Sequence, residues 1–138
     1  MSTAKVNTLT GTTSAGSIVV TGEGGSTTTN LQQGLLKSWV DIPADGASLN
    51  DSFNIGSSTD SGTGDRRVAY TNNMGTANYA ITTGVEDAGA GTSTLQTDIT
   101  NGTQSTTGFD AEVYYGHQTA DRTNYDEESY YMVAGDLA

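Results

Sequence analysis

Apolar and polar residues alternate along short segments of this chain, and the alternation is clearest in its middle. From Asp51 to Glu86 the sequence reads DSFNIGSSTDSGTGDRRVAYTNNMGTANYAITTGVE. Three strand-length runs, 52–55, 65–71 and 78–85, are separated by clusters of Gly, Ser, Thr, Asn and Asp that suit turns. The pattern predicts a β-meander. Side chains alternate along a strand, so Phe53 and Ile55 are expected on one face of the incoming strand, and Val68 and Tyr70 on one face of the outgoing one. Between them, 60–65 supplies two glycines able to take the positive φ that a hairpin loop needs.

The flanking segments extend the same pattern. Around 31–36, Thr29 or Asn30 could cap a turn of helix with Leu31, Leu35 and Leu36 on one face, but Gly34 costs about 1 kcal/mol there relative to Ala. From Leu36 the alternation of Leu36, Val40 and Ile42 with Lys37, Trp39 and Asp41 favours a strand, which Pro43 ends because it cannot donate to a ladder. Asp45-Gly46 marks a turn. Beyond the loop 87–91 come a strand at 94–100 with Leu95 and Ile99 on one face, a turn at Asn101-Gly102, and a strand at 108–117 with Phe109, Ala111, Val113 and Tyr115 on one face. A long acidic loop, 118–129, leads to a last strand at 130–137. From Leu36 onward this makes about seven strands at turn spacings of roughly 8–15 residues and no helix longer than two turns. The expected fold is all-β, an antiparallel β-sandwich spanning 31–138.

Residues 1–30 have another texture. Two short β-prone runs, 5–9 and 17–21, sit in a Gly/Ser/Thr background that cannot bury much surface. Val6, Leu9, Ile18, Val19 and Val20 are nevertheless more apolar than a flexible linker requires. This segment reads either as a flexible linker with a disordered start or, the reading those residues favour, as an extended arm that becomes ordered by adding strands to a neighbouring subunit or a larger assembly.

Composition narrows the function classes. In 138 residues, 33% are hydrophobic, and only by adding the 18 Gly does the chain come close to the roughly 45–50% apolar, counting Gly, of ordinary globular chains. The core is therefore thin, and contacts in a homo-oligomer would help complete it. A net charge of −11 argues against nucleic acid as a partner, because phosphate binding needs clustered Lys and Arg. With no cysteine, disulfides and thiolate metal sites are excluded. No apolar run approaches the ~20 residues of a membrane span, and nothing after Met1 reads as a signal peptide, so no membrane insertion is expected.

Candidate chemistry is sparse. His117 is the only histidine, which rules out a histidine metal triad within one subunit; a lone histidine at a strand end reads as a surface residue. No Gly-x-Ser-x-Gly elbow is present. The acidic loops 60–65 and 121–128 carry several oxygens each, yet neither has EF-hand spacing, and both read as solvated turns. No catalytic residue, metal site or cofactor is expected. Aromatic residues say more: Trp39, the sole tryptophan, reads first as a core or interface anchor. In each of the pairs Tyr114-Tyr115 and Tyr130-Tyr131 one ring must face out. Trp39, Tyr114 and Tyr130 are thus the candidates for surface recognition or subunit contact.

Several segments resemble a known family. Thr27-Thr-Thr-Asn-Leu-Gln-Gln-Gly-Leu-Leu-Lys-Ser-Trp, Asp51-Ser-Phe-Asn-Ile, Thr59-Asp-Ser-Gly-Thr-Gly-Asp, Tyr70-Thr-Asn-Asn-Met-Gly-Thr-Ala-Asn-Tyr-Ala and the ending Ala134-Gly-Asp-Leu-Ala together resemble a domain at the C-terminal end of tail-fibre and other virion proteins of tailed phages, notably marine and cyanobacterial ones. The resemblance covers about residues 27–138; Lys5-Val-Asn-Thr-Leu-Thr also resembles the short arms that begin such proteins. The chain departs from the pattern at Arg66-Arg67-Val-Ala, where alternating Tyr/Thr and apolar residues are more usual. The resemblance implies a non-enzymatic virion protein, made in the host cytoplasm and assembled with other tail, fibre or capsid proteins, with a homotrimer favoured. It would be a small tail-fibre-like or appendage subunit, with the loops 87–93 and 118–129 facing outward. A capsid decoration protein is the alternative within that class. A carbohydrate-binding module, using Trp39 with Tyr114 or Tyr130 against a host-surface glycan, is the alternative outside it.

Overall fold

A computed structural model of the chain describes residues 3–12, 18–22, 24–86, 94–116 and 123–138. The chain divides into two compact units, Met1–Leu35 and Leu36–Ala138.

In the first unit, β1 (Val19–Thr21) and β2 (Thr28–Asn30) pair antiparallel. Asn30 then ends the hairpin as a cap: its Oδ1 accepts from the amides of Gln32 and Gln33 at 2.8 and 3.3 Å, which starts a single turn and no helix. The Leu31 amide donates back to the Ile18 carbonyl, so this turn belongs with the hairpin. Residues 5–9, expected as a strand, form none; Val6 and Leu9 stand in solvent without a partner strand to fix them. Of the second expected run, β1 keeps 19–21, while Ser17 lies outside the described residues.

The second unit is an all-β sandwich. Its strands are β3 (Ser38–Ile42), β4 (Asp51–Phe53), β5 (Ile55–Gly62), β6 (Asp65–Tyr70), β7 (Ala80–Val85), β8 (Thr94–Ile99), β9 (Gly108–Gly116), β10 (Thr123–Asn124) and β11 (Ser129–Ala134). One sheet runs β4-β3-β11-β7; the other is built on β9, with β8 along one edge and β6, then β5, along the other. The two-residue β10 continues β6's side of β9. All pairings are antiparallel.

Period-two patterning produces the core. Val40 and Ile42 of β3 and Tyr131 and Val133 of β11 face Val68 and Tyr70 of β6 and Phe109 and Ala111 of β9, all buried. Phe109 packs edge-on against Tyr131, with ring centroids 5.5 Å apart, and Tyr70 against Tyr79 at 5.8 Å. Such pairs contribute about 0.5–1.5 kcal/mol beyond area burial. A second cluster of Leu95, Val113 and Tyr115, with Val85 against it, fills the side where β7 approaches β8. There the Thr83 hydroxyl donates to the Thr97 carbonyl, and the Thr97 and Tyr131 hydroxyls bond at 3.1 Å.

Arg66 shares the inward face with Val68 and Tyr70 and is 1% exposed. Its Nη atoms donate to the carbonyls of Gly64 and Glu127. Gly64 is fixed from the other side by Val113 and Asp126: its carbonyl accepts from the Val113 amide, and its amide donates to Asp126 Oδ1. With φ +73 and a Cβ position 2.4 Å from the Val113 carbonyl oxygen, only glycine fits there. Arg66 thus pins the segment before β11 to the β5–β6 turn.

Three expectations need correction. Phe53 and Ile55 do not share a face, because Asn54 between them has φ +59 and turns the chain from one sheet into the other: Phe53 is exposed, Ile55 buried. The three central runs are not a meander either. β5 and β6 form a hairpin, whereas β7 pairs with β11 in the opposite sheet. Thirdly, the hairpin is tighter than a 60–65 loop, with Gly62 opposite Asp65. The β3 alternation is found from Ser38 on, where pairing with β11 begins; Leu36, ahead of it, is exposed.

Candidate functional site

The outer face of the β4-β3-β11-β7 sheet brings together Trp39, Phe53 and Tyr130 with Met132. Register sets this out in rows. Trp39 lies directly opposite Phe53 on one side and Met132 on the other, and Met132 opposite Thr82. The next outward row is Asp51, Asp41, Tyr130 and Gly84. Beyond it Glu128 and Glu86 are joined through the Glu86 amide and the Glu128 carbonyl. An apolar row, a mixed row and an acidic pair therefore follow one another across a rigid sheet. Phe53 is 51% and Met132 45% exposed, and Trp39 and Tyr130 are half-buried.

Each feature has a local cause. Phe53 faces outward because of the left-handed corner at Asn54. Gly84 has no side chain, and the Tyr130 ring occupies the space a Cβ there would face, 3.6 Å from Cδ2. The Tyr130 hydroxyl is shared between Glu128 Oε1 at 2.8 Å and Glu86 Oε2 at 3.1 Å. Those bonds, Glu128's foremost, hold its acidity well below that of free tyrosine, since ionisation would set a third negative charge beside two carboxylates. The Asp41 carboxyl is likewise pushed above the usual range, first by partial burial and also by the charges of Glu128 and Asp51; a bond from Asn50 Nδ2 at 3.2 Å opposes this.

Of the three aromatic candidates, the structure brings Trp39 and Tyr130 together as diagonal neighbours on one face. Tyr114 does not join them. It does face outward from β9, but in the other sheet, where it is 9% exposed with its hydroxyl bonded to Asp98. As a recognition ring Tyr114 is therefore corrected: β8 and β10 pair with β9 on both sides of it and leave it little surface. Phe53, Met132, Asp41, Asp51, Glu86 and Glu128 were missed as members of one surface. Met132 shares Tyr130's parity and could have been found from it; Phe53 could not without knowing the corner.

Nothing else among the described residues converges on chemistry. Among the described residues no group of three or more His, Asp or Glu is placed to hold a metal ion. Carboxylates of the two acidic loops serve main chain and amides: Asp60 accepts from Gly62, Asp126 from Gly64, and Asp65 from Asn124. His117, Asp121 and the loop 87–93 lie outside the described residues. A cleft of ≈ 330 Å³ is lined by the hydroxyls of Thr103, Ser105 and Thr107 and by Arg67 and Asp110, whose carboxylate is held in the ion pair with Arg67. No described helix is long and apolar enough to cross a membrane. No family model, curated protein or solved structure matches the chain.

Proposed function

We propose that the chain is a structural, non-enzymatic subunit of a tailed-phage virion, a small tail-fibre-like or appendage protein anchored through its N-terminal unit. The observation that carries this reading is the surface of that unit. Val6, Leu9, Val19, Val20 and Leu35 are each at least half exposed there. A lone two-stranded hairpin is at best marginally stable in water, and a hairpin displaying valines on three-residue strands needs covering. Charge supports the same division of labour. Lys5 and Glu23 are the only charged side chains of Met1–Leu35, so the net charge of −11 falls on Leu36–Ala138. A neutral, apolar segment can enter an assembly without the repulsion the acidic sandwich would meet against its own copies. The resemblance to virion domains gives the assembly its identity.

Mass spectrometry of purified particles of the phage encoding the chain tests this. The protein should be present at fixed stoichiometry, low if it sits at the tail and high if it decorates the shell. A chain beginning at Leu36 should fold yet be missing from the particles. Absence of the full chain from particles, or equal incorporation of the shortened one, overturns the reading.

A further inference from the structure

The acidic aromatic platform on the sandwich is not used by an anchoring role, and its chemistry selects a ligand. Phe53 and Met132 are about half exposed (51% and 45%). With Trp39 and Tyr130 the patch amounts to roughly 300 Å², given the ~150–250 Å² that each such side chain can bury. A stable protein interface takes ~800 Å² from each partner, so the platform suits something the size of one or two rings. Its shape is flat, because cross-strand neighbours lie side by side ~4.5–5.5 Å apart, and a flat row suits stacking against the C–H face of a sugar better than enclosing a compact cation. Its acidic charge lies to one side: Asp51 and Asp41 border the apolar row, and Glu128 and Glu86 stand one row further out. Asp51 is directly opposite Asp41, and Glu128 bears on the Asp41 carboxyl. Anionic and phosphorylated sugars are repelled by such an edge, whereas a protonated amine is attracted to it and to the face of Trp39.

We propose that the outer face of the β4-β3-β11-β7 sheet is a binding site for a cationic amino sugar, whose pyranose ring stacks on Trp39 between Phe53 and Met132 while its ammonium group meets Asp41 and Asp51. The carboxylates of Glu128 and Glu86, steadied by the Tyr130 hydroxyl, extend the acidic edge toward a second sugar. This inference does not rest on the virion reading and fails or stands separately from it.

Trp39 is the only tryptophan, so intrinsic fluorescence reports on this site alone. Titration of the full chain with a β-1,4-linked glucosamine tetramer should give a saturable change that weakens as salt is added. The N-acetylated tetramer, which has the ring but not the charge, should bind at least about ten-fold more weakly. By calorimetry Trp39→Ala should lose about ten-fold or more in affinity, and Asp41→Asn several-fold. Glu112→Gln, an equal charge change on the opposite sheet, should bind as the parent does. Asp41→Asn against Glu112→Gln decides the matter if Trp39→Ala does not fold. The proposal is overturned if neither tetramer binds, if the acetylated one binds equally, or if Asp41→Asn and Glu112→Gln weaken binding alike, which would mean general attraction of a polycation to an acidic protein.

Discussion

Asn54 is the residue on which the layering of the sandwich turns, and replacing it separates two energetic terms. Its φ of +59 lies in the left-handed region, where an L-residue with Cβ pays roughly 1–2 kcal/mol and glycine nothing. Its side chain also ties the corner. Nδ2 donates to the carbonyls of Lys37 at 3.0 Å and Asn72 at 3.2 Å, and Oδ1 accepts from the Asn72 amide at 2.8 Å and its Nδ2 at 3.0 Å. Three of these, to the carbonyls of Lys37 and Asn72 and from the Asn72 amide, satisfy main-chain groups. At ~0.5–1.5 kcal/mol net for each, with these mostly exposed bonds toward the low end, and with glycine's release from the strain, net of its unfolded freedom, returning about 0.5–1 kcal/mol, Asn54→Gly should cost about 1–3 kcal/mol. Asn54→Ala loses the same bonds and keeps the left-handed strain that glycine sheds, an advantage to glycine partly offset by its greater freedom when unfolded, ~0.5–1 kcal/mol. It should fall roughly a further 0.5–1 kcal/mol. With ~2.1 cal/mol/K of unfolding entropy per residue, a sandwich of about a hundred residues loses ~5 °C per kcal/mol. Asn54→Gly should therefore melt about 5–15 °C lower and Asn54→Ala a few degrees lower still. Urea and thermal unfolding followed by circular dichroism at unchanged m-value provide the measurement. An alanine variant as stable as the glycine variant, or both indistinguishable from the parent, refutes the account of this corner.

Three further outcomes follow from the packing. Gly108 sits with its Cβ position 2.0 Å from the Val68 carbonyl oxygen, while Gly102 has open space at φ +77; Gly108→Ala should cost more than ~4 kcal/mol or prevent folding, and Gly102→Ala only about 1–2, as read from urea midpoints. Thr97→Val leaves the Tyr131 hydroxyl, on a side chain 1% exposed, without its Thr97 partner. It should therefore cost about 1–3 kcal/mol, more than Tyr131→Phe, and a double-mutant cycle should show the two changes to be less than additive. Because the folded-state pKa of Asp41 is raised, the stability it contributes is full below its unfolded value near ~3.9 and is lost as pH rises through the folded one. Asp41→Asn should accordingly melt above the parent at pH ~7, with the gap closing toward pH ~3; an asparagine variant less stable at neutral pH contradicts this.

What could be read from the sequence was what depends on parity within one strand. The inward sets Phe109, Ala111, Val113 of β9 and Val40, Ile42 of β3 follow from alternation alone, as does the stop at Pro43. The capping of a turn by Asn30 followed from its side chain. What could not be read depends on a single backbone angle or on pairing across the chain. Nothing in Ser-Phe-Asn-Ile announces that Asn54 is left-handed, and a straight strand through it puts Phe53 in the core. Parity does place Arg66 with Val68 and Tyr70, but hydropathy argues against burying it, and only the carbonyls of Gly64 and Glu127, 2 and 61 residues away, make that tolerable. For the platform, Trp39 and Tyr130 were separately visible; their adjacency waits on the β3–β11 register. Tyr114 looked equivalent to Tyr130 by parity and differs because its strand is central and Tyr130's face is uncovered.

The platform's acidic edge is one of two places where the sequence departs from what stability alone would select. Like charges directly opposite each other on a sheet are destabilising, yet Asp41 faces Asp51 and Glu86 lies beside Glu128. The opposite sheet carries a like-charge row of its own, Glu112 between Asp65 and Asp98, beside the ion pair of Arg67 with Asp110 across β6 and β9, at 3.0 Å. Nor is the acidic edge left to disperse. Tyr130, seated over Gly84, gives its hydroxyl to both glutamates, and Asn50 holds Asp41, so the negative charge is kept at a fixed place relative to Trp39. Local costs of this kind, held in place by dedicated side chains, concentrate where a surface has a task beyond folding. A protonated amine above Asp41 and Asp51 would remove the repulsion that the free sheet bears, and ligand binding and sheet stability are thereby coupled through the same two carboxylates.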